Sequence, residues 1–251
     1  MRRVSWGVVR DCTIDAGIPA RFSGKSDLGY HRSVNLERRV FWVVLFTLGM
    51  AAVEAAVVVY LRELYCPAGF RFPVLDFSAE GPAGRIGLVE LLREAATMVM
   101  LAAVSMLAGR TRWQRWALFM LSFGLWDLLY YVWLEVLLGW PASLGTWDLV
   151  FLIPVPWTGP VLAPCLVALA LVGAAAAFLK WEERDLGSFL RPLDWTLEVV
   201  AGLTVILAFT ANARACLVRA EGEMIFPWLV FSTGLGLGVA VFLGALRRAL
   251  R

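Results

Sequence analysis

The chain has 251 residues, of which 60% are apolar by type and only 17% are charged. Soluble domains are about 45–50% apolar and about 25% charged, so this composition excludes a water-soluble globular domain. Twelve tryptophans and fifteen phenylalanines, set against two lysines, also exclude a disordered chain and a protein that coats nucleic acid. The net charge of +3 carries little meaning alone, because the positions of the basic residues decide how a membrane protein is oriented.

Six apolar stretches are long enough to cross a membrane as helices. A helix rises about 1.5 Å per residue, so a hydrocarbon core of about 30 Å takes about 20 apolar residues. We predict spans at Val40–Leu61, Ile86–Leu107, Trp116–Leu138, Val161–Leu179, Leu193–Ala211 and Pro227–Leu246. The sequence therefore predicts an all-α, polytopic bundle of six transmembrane helices, since the alternating strands of a membrane barrel are missing from the pattern.

The basic residues predict that both ends of the chain lie in the cytoplasm. Seventeen Lys and Arg residues fall on segments assigned to the inside and five on segments assigned to the outside. Residues 1–39 hold eight of these seventeen and have no apolar stretch suited to a cleaved signal peptide. We interpret 1–39 as a basic cytoplasmic tail, 40–180 as a four-span core and 181–251 as two additional spans. The tail is either a solvated segment that holds the orientation or a contact for anionic lipid or a partner subunit.

The composition also excludes several cofactors within the membrane. The single histidine, His31, lies in the predicted tail, which argues against a bis-histidine haem, a histidine-ligated chlorophyll and a histidine-rich zinc centre. Neither lysine lies in the middle of a span, which argues against a retinal Schiff base. The four cysteines have no C-x-x-C spacing, and a disulfide between Cys66 and Cys216, both predicted outside, stays an open alternative.

Two glycines of the sixth span, Gly234 and Gly238, form a G-x-x-x-G pair. This spacing favours close helix packing, either within the chain or between chains. The six apolar spans make the lipid bilayer the expected partner. Packing of the glycine pair between chains would add a homo-oligomer or a larger membrane complex.

Acidic residues inside the predicted spans are the main functional signal. A carboxylate at the bilayer centre costs about 2.5–3.5 kcal/mol on insertion scales, so it needs a partner, a proton, water or an ion. Six acids fall in the outer half of one region, namely Glu54, Glu90, Glu94, Asp127, Glu135 and Asp148. The one comparably placed base is Arg93. Like charges packed closely cannot all stay ionised, so at least one acid must share a proton or a cation.

Helical spacing groups these acids into polar stripes. Glu90, Glu94 and Thr97 share one face of the second span, and Asp127, Tyr131 and Glu135 share one face of the third. We expect the two stripes and Glu54 to face one another across a shared interior. A cation or proton site is therefore predicted at Glu54, Glu94 and Asp127. The predicted cavity entrance and the residues that tune its charge are Glu90, Arg93, Tyr131, Glu135 and Asp148.

The alternative to a functional site is purely structural. In that interpretation Arg93 neutralises Glu90 or Glu94, tyrosine hydroxyls bond Asp127, and the other acids touch headgroup water. An intramembrane aspartyl protease that uses Asp127 and Asp148 is disfavoured, because neither acid stands in a Gly-x-Gly-Asp context.

The connection between the third and fourth spans contains a short apolar run. Leu149–Ile153 is too short to cross a bilayer, and three prolines follow it within eight residues. We predict either a re-entrant half-helix, which commonly marks ion or substrate sites, or an interfacial helix with Asp148 in its first turn.

Several motifs of this region occur together: Glu54-Ala-Ala-Val-Val-Val-Tyr-Leu-Arg62, Trp126-Asp127 with Tyr130-Tyr131, Gly139-Trp-Pro141, and Thr146-Trp-Asp148 through Pro160. From about Phe46 to Val172 the chain resembles a family of uncharacterised bacterial integral membrane proteins. The resemblance implies a bacterial inner membrane and a four-span core, and it attaches no activity to the chain.

Three functions remain open from the sequence. The first is a cation- or proton-linked membrane protein with an acidic cavity open to the outside. The second is an accessory subunit that docks through its tail, its glycine pair and its aromatic outer loops. The third and least favoured is an enzyme that acts on lipid-like substrates with a carboxylate-bound Mg²⁺ or Mn²⁺.

Overall fold

The structure is a computed structural model that describes residues 24–65, 82–181, 190–213 and 224–251. The chain divides into two units, Met1–Glu37 and Arg38–Arg251, and the boundary falls within the first helix. All contacts described below lie within the second unit.

Six helices and one small sheet make up the described chain. The helices are α1 (Gly24–Tyr65), α2 (Pro82–Ala108), α3 (Arg112–Leu138), α4 (Leu162–Lys180), α5 (Pro192–Thr210) and α6 (Trp228–Leu250). The sheet pairs β1 (Trp147–Phe151) with β2 (Trp157–Pro160), and both strands lie between α3 and α4 in the chain.

All six predicted spans are confirmed as helices. Each is long and apolar enough to cross a membrane, and in α1 the qualifying part is Leu36–Leu64. A helix satisfies its own backbone N–H and C=O groups, which is why such apolar segments adopt it in lipid. The protein is thus an all-α multi-pass membrane protein with a minor β element.

Local signals set the bounds of α3, the helix that holds Asp127. Thr111 caps its start by accepting the backbone N–H of Gln114 at 3.1 Å. Gly139 ends it with a left-handed φ of 62°, and its N–H donates to the carbonyl of Glu135 at 2.9 Å.

The first three helices alternate in direction. At one end Arg39 of α1 donates to the carbonyl of Ala108, late in α2, at 2.6 Å. Near the other end Thr97, earlier in α2, donates to Glu54, later in α1, at 3.3 Å. We call the first of these ends the Arg39 end. We call the second the hairpin end, because the antiparallel β1–β2 hairpin lies there. Further along the chain, α3 packs along α4 and α5 packs along α6.

Both helical predictions for the connection after α3 are wrong, because Leu149–Ile153 forms neither a half-helix nor an interfacial helix. Residues Trp147–Phe151 form β1, which pairs antiparallel with β2 and has an irregularity in its register after Leu149. Pro154 and Pro156 lack the N–H that continues a helix, so the short run cannot satisfy its backbone in that form. Pairing with β2 satisfies it instead.

An aromatic cluster packs the hairpin against α5 and against the residues just before α6. Trp157 stacks on Phe209 of α5 with ring centroids 6.0 Å apart, and Trp147 meets Phe226 edge-on at 6.3 Å. A Cβ on Gly159 would lie 2.9 Å from the Phe226 ring, so glycine permits this close approach. The hairpin therefore lies at one end of the helices, directly beside the acids described next.

The glycine pair of the sixth span packs within the chain. A Cβ on Gly234 would lie 3.0 Å from the carbonyl oxygen of Ala201, and a Cβ on Gly238 would lie 3.2 Å from a carboxylate oxygen of Glu198. Both contacts are with α5, so α6 uses its small residues to approach its neighbour in the same chain.

Two of the predictions fall on parts of the chain that are not covered. Cys66 and Cys216 both lie outside the described residues, so their pairing stays an open prediction. Residues 1–23 of the basic tail lie outside them as well.

Candidate functional site

A partly buried arginine joins two acids from neighbouring helices. Arg93 on α2 pairs with Glu54 on α1, and it binds Glu90 one turn earlier through two hydrogen bonds, Nε to Oε2 at 2.9 Å and Nη2 to Oε1 at 2.5 Å. Thr97 donates its hydroxyl to Glu54 at 3.3 Å. The α2 stripe places these groups together because three- and four-residue steps return to the same helix face. We call these four residues the Arg93 group.

Glu94 contacts the hairpin and has no arginine partner among the described residues. Its two carboxylate oxygens accept the backbone N–H of Leu152 at 3.0 and 3.2 Å. Glu94 is only 6% exposed, so most of its surface is shielded from solvent. A single amide donor compensates a buried carboxylate less well than a cation does.

The hairpin contributes an acid that is almost completely buried. Asp148 on β1 is 2% exposed and accepts the Tyr131 hydroxyl at 3.2 Å. Its other oxygen lies 3.5 Å from the guanidinium of Arg62, which belongs to the last turn of α1. The Arg62 guanidinium carbon lies 3.8 Å from the centre of the Trp140 ring, a cation–π contact. These four residues are the Asp148 group.

Burial makes Asp148 difficult to ionise. The loss of water around this carboxyl raises its pKa to about 6 from an ordinary value of 3.8. The charge of Arg62 and the hydrogen bonds from Tyr131 and from the N–H of Leu149 act in the opposite direction, but they do not cancel the burial. Asp148 is therefore half protonated near pH 6 in the folded protein.

Asp127 differs from the other acids of the region. It lies in α3 within electrostatic range of Asp148 on β1 and of Cys165 on α4. Within the described residues it forms no hydrogen bond and no ion pair. Among the described residues, the charge that acts on it is the like charge of Asp148. An unpaired carboxylate in a membrane span needs a proton or a mobile partner.

The two groups belong to one region of the molecule. Tyr130 lies within electrostatic range of Asp148 and Arg62 and also of Glu54 and Arg93. Five acids and two arginines thus lie near one another at the hairpin end: Glu54, Glu90, Glu94, Asp127 and Asp148 with Arg62 and Arg93. If all five acids were ionised, this region would carry an excess of negative charge that its low-dielectric surroundings oppose.

Two of the sequence predictions are not reproduced in this arrangement. Glu135 is exposed and is not part of either group, although it lies one turn from buried Tyr131. Among the described residues no three carboxylate, histidine or cysteine side chains gather where a metal ion would bind. Glu54, Glu94 and Asp127 instead face different surroundings, namely an arginine, a backbone amide and a like charge.

Arg62 and Trp140 are site residues that the sequence argument missed. Arg62 was assigned to the outer loop, yet it pairs with Asp148. The available signal was its distance of eight residues from Glu54, since this spacing returns to nearly the same face of a helix. Trp140 entered the sequence analysis only as part of the Gly139-Trp-Pro141 motif, and nothing in its spacing indicated a cation contact.

Comparisons of the chain with protein-family models, with curated proteins and with solved structures found no match. The function proposed below therefore depends on the geometry of the site.

Proposed function

We propose that this protein binds protons at the carboxylates of its hairpin end and couples that binding to transport across the membrane. The observation that carries the proposal is the state of Asp127. Three acids of the region have an arginine partner and Glu94 has a backbone amide, whereas Asp127 has no bonding partner in the described chain. A proton neutralises such a side chain with the smallest change in structure.

Protons fit this site better than metal ions do. Arg93 occupies the space between Glu54 and Glu90, so its charge already compensates the acids that a metal would use. Mg²⁺ and Ca²⁺ also require several oxygen ligands at one point, an arrangement that the described residues do not form.

The membrane and the orientation are part of the same proposal. The distribution of basic residues supports a cytoplasmic position for both ends of the chain, and the motif resemblance supports a bacterial inner membrane. The hairpin end, with its acids, then faces the outside. Phe209 of the added span α5 and Phe226, which precedes α6, pack against the hairpin.

Replacing Asp127 by asparagine tests the proposal, because the amide imitates a protonated acid. We expect Asp127→Asn to insert normally and to be at least as stable as the wild type at neutral pH. The wild type should gain stability on acidification, and the variant should lose the part of this gain that Asp127 contributes while it keeps the part that Asp148 contributes. The measurement is thermal unfolding in lipid nanodiscs over a pH series, repeated with Na⁺, Mg²⁺ and Ca²⁺.

Glu135→Gln is the matched control, since it also removes one acid from α3 but at an exposed position. It should keep the pH profile of the wild type. Equal pH profiles for the wild type and Asp127→Asn would contradict proton binding at Asp127. If a divalent cation stabilises the wild type but not Asp127→Asn, the ligand of Asp127 is a metal ion and not a proton.

The alternative function is an accessory subunit of a larger complex, and one of the three docking features predicted for it is already used within the chain. Gly234 and Gly238 pack against α5 of the same chain and are not available for a partner helix. The alternative requires partner chains that co-purify reproducibly in mild detergent, whereas a proton-linked transporter is expected to purify alone or as a homo-oligomer.

A further inference from the structure

Buried polar side chains are distributed unevenly over the six helices. The described chain buries ten polar or charged side chains, and seven of them lie on α1, α2 and α3. These seven are Thr47, Glu54, Glu94, Thr97, Ser105, Gln114 and Ser122. Among the described residues α4 and α6 bury none, and α5 buries only Asp194, in its first turn. Helix packing alone does not require buried polar side chains, because apolar or small residues fill the interior of the other three helices.

These side chains form layers across the interface of α1, α2 and α3. Nearest the hairpin is the carboxylate layer, in which Thr97 donates to Glu54 at 3.3 Å. Nearer the Arg39 end is the hydroxyl layer, in which Ser105 of α2 and Ser122 of α3 share a hydrogen bond of 3.3 Å. Thr47, fully buried on α1, lies at the same level by helical spacing.

One apolar layer separates the two polar layers. Ala51, Leu101 and Trp126 pack together in a single buried cluster, with one residue from each of the three helices. Each is one helical turn from a residue of the hydroxyl layer, and Leu101 is one turn from Thr97 of the carboxylate layer. Thr97 and Ser105 are thus about 12 Å apart along the helix axis, with Leu101 between them.

The apolar layer contains one polar group without a partner. The indole N–H of Trp126 is buried and has no acceptor among the described residues. A buried N–H is costly unless something accepts its hydrogen bond, and water is the ordinary acceptor in a protein interior. A water molecule that enters the apolar layer is therefore stabilised most next to this N–H, from which it can accept a hydrogen bond.

Beyond the hydroxyl layer, buried Val43 of α1 and Leu118 of α3 form a second apolar layer, and polar groups follow it at the Arg39 end. Gln114 of α3 is 3% exposed, and its side-chain oxygen accepts Arg39 at 3.1 Å. Arg39 also binds the end of α2 through the carbonyl of Ala108. On α2, however, Ser105 lies only three residues, about 4.5 Å along the axis, from the Ala108 carbonyl that Arg39 binds. Groups able to bind water or a proton thus extend from the hairpin end to the opposite end of the same three helices with two apolar interruptions, and the one at Leu101 is the longer.

We propose that protons move between the carboxylates and the opposite membrane face along this interface, with Leu101 as the principal barrier. The inference rests on the proposed function and adds the route to it. A proton leaves the carboxylate layer, crosses the apolar layer on transient water near Trp126, and reaches the hydroxyls of Ser105 and Ser122. One positive charge crosses the membrane for each proton, and no electron transfer is involved.

Proton flux into proteoliposomes tests the route. The purified full-length chain is reconstituted with an internal pH-sensitive dye, a pH gradient is imposed, and K⁺ with valinomycin compensates the charge. Leu101→Ser should raise the flux about tenfold, which corresponds to lowering the barrier by about 1.4 kcal/mol. Ser105→Ala, which adds no volume, should lower the flux of the wild type and of Leu101→Ser alike.

Leu134→Ser is the control, because Leu134 of α3 is also 0% exposed but lies outside all of these layers. It should leave the flux unchanged. Equal flux in the wild type and Ser105→Ala would overturn the route and leave the hydroxyls with a packing role; this variant decides the matter even if Leu101→Ser fails to insert. An equal rise for Leu101→Ser and Leu134→Ser would also overturn it, since it indicates a general leak.

The stability test on Asp127 separates the two proposals. If Asp127→Asn reduces the wild-type pH dependence while the route variants have no effect on flux, the proton site stands and the route fails. If the Asp127 profile does not change, the proposed function fails, and a flux that still depends on Leu101 would then belong to a different proton source.

Discussion

The acids at the hairpin end fall into two classes according to their neighbours. Glu54, Glu90 and Asp148 each have an arginine within ion-pair distance. Glu94 and Asp127 have none in the described part of the chain, and of these two only Glu94 accepts a hydrogen bond, from the backbone N–H of Leu152. Removing one member of a buried pair leaves an uncompensated charge, whereas neutralising an unpaired acid removes one. Substitutions in the two classes should therefore have opposite effects on stability.

Asp148 gives a pH prediction with a defined sign. Its folded pKa of about 6 lies above its ordinary value of 3.8, so its stabilising contribution is complete below about pH 4 and is lost as the pH rises through about 6. The full loss corresponds to about 3 kcal/mol. Asp148→Asn should flatten this part of the unfolding profile, even though it also weakens the contact with Arg62. Thermal unfolding of both proteins across this range measures the effect, and parallel profiles would contradict it.

At single positions the sequence predicted the acids better than their partners. The cost of a carboxylate in lipid identifies Glu54, Glu94 and Asp127 wherever the helices pack. The choice of partner depends on which helix faces meet, and this is a property of the tertiary structure. Arg62 was consequently placed in a loop, and exposed Glu135 was grouped with Tyr131.

The elements illustrate what hydropathy can and cannot predict. Length and apolarity alone located all six helices, since lipid leaves a helix as the simplest way to pair the backbone. The hairpin was missed because a run of five apolar residues is equally compatible with a strand and a helix. Only the pairing of Leu149 with Thr158 across the turn distinguishes the two, and that pairing is not visible along the sequence.

The contact between α3 and α4 also depends on one glycine that the sequence did not single out. A Cβ on Gly124 would lie 2.7 Å from the carbonyl oxygen of Ala168 and 2.9 Å from a methyl carbon of Val172. Because Asp127 lies one turn further along α3, this close approach also sets its distance from α4.

Gly124→Ala should therefore destabilise the protein by about 1–3 kcal/mol, the usual cost of overpacking. Gly173→Ala is the matched control on α4, because a Cβ there meets no atom within 4 Å. The control should change stability by less than about 0.5 kcal/mol. Apparent unfolding midpoints in nanodiscs compare the two variants, and equal midpoints would show that α3 and α4 are less tightly packed than described.

On the scale of the whole molecule, the polar interior and the apolar support are carried by different parts of the chain. Helices α1 to α3 and the hairpin contain the acids, both site arginines and the buried hydroxyls. Helices α4 to α6 contribute aromatic and small residues that hold the hairpin and one another. The sequence predicted the clustering of the acids in the first three spans and the connection that follows them, but it grouped the fourth span with these three as a four-span core.

The central claim is that a membrane-embedded acid of this protein binds a proton, and infrared difference spectroscopy observes such a proton directly. Spectra of the protein in lipid nanodiscs are compared between acidic and alkaline buffer. The account predicts a carbonyl stretching band of protonated carboxyls that appears on acidification, loses its Asp127 component in Asp127→Asn and keeps that component in Glu135→Gln. A band of unchanged size in Asp127→Asn, or no protonated-carboxyl band in the wild type, would contradict it.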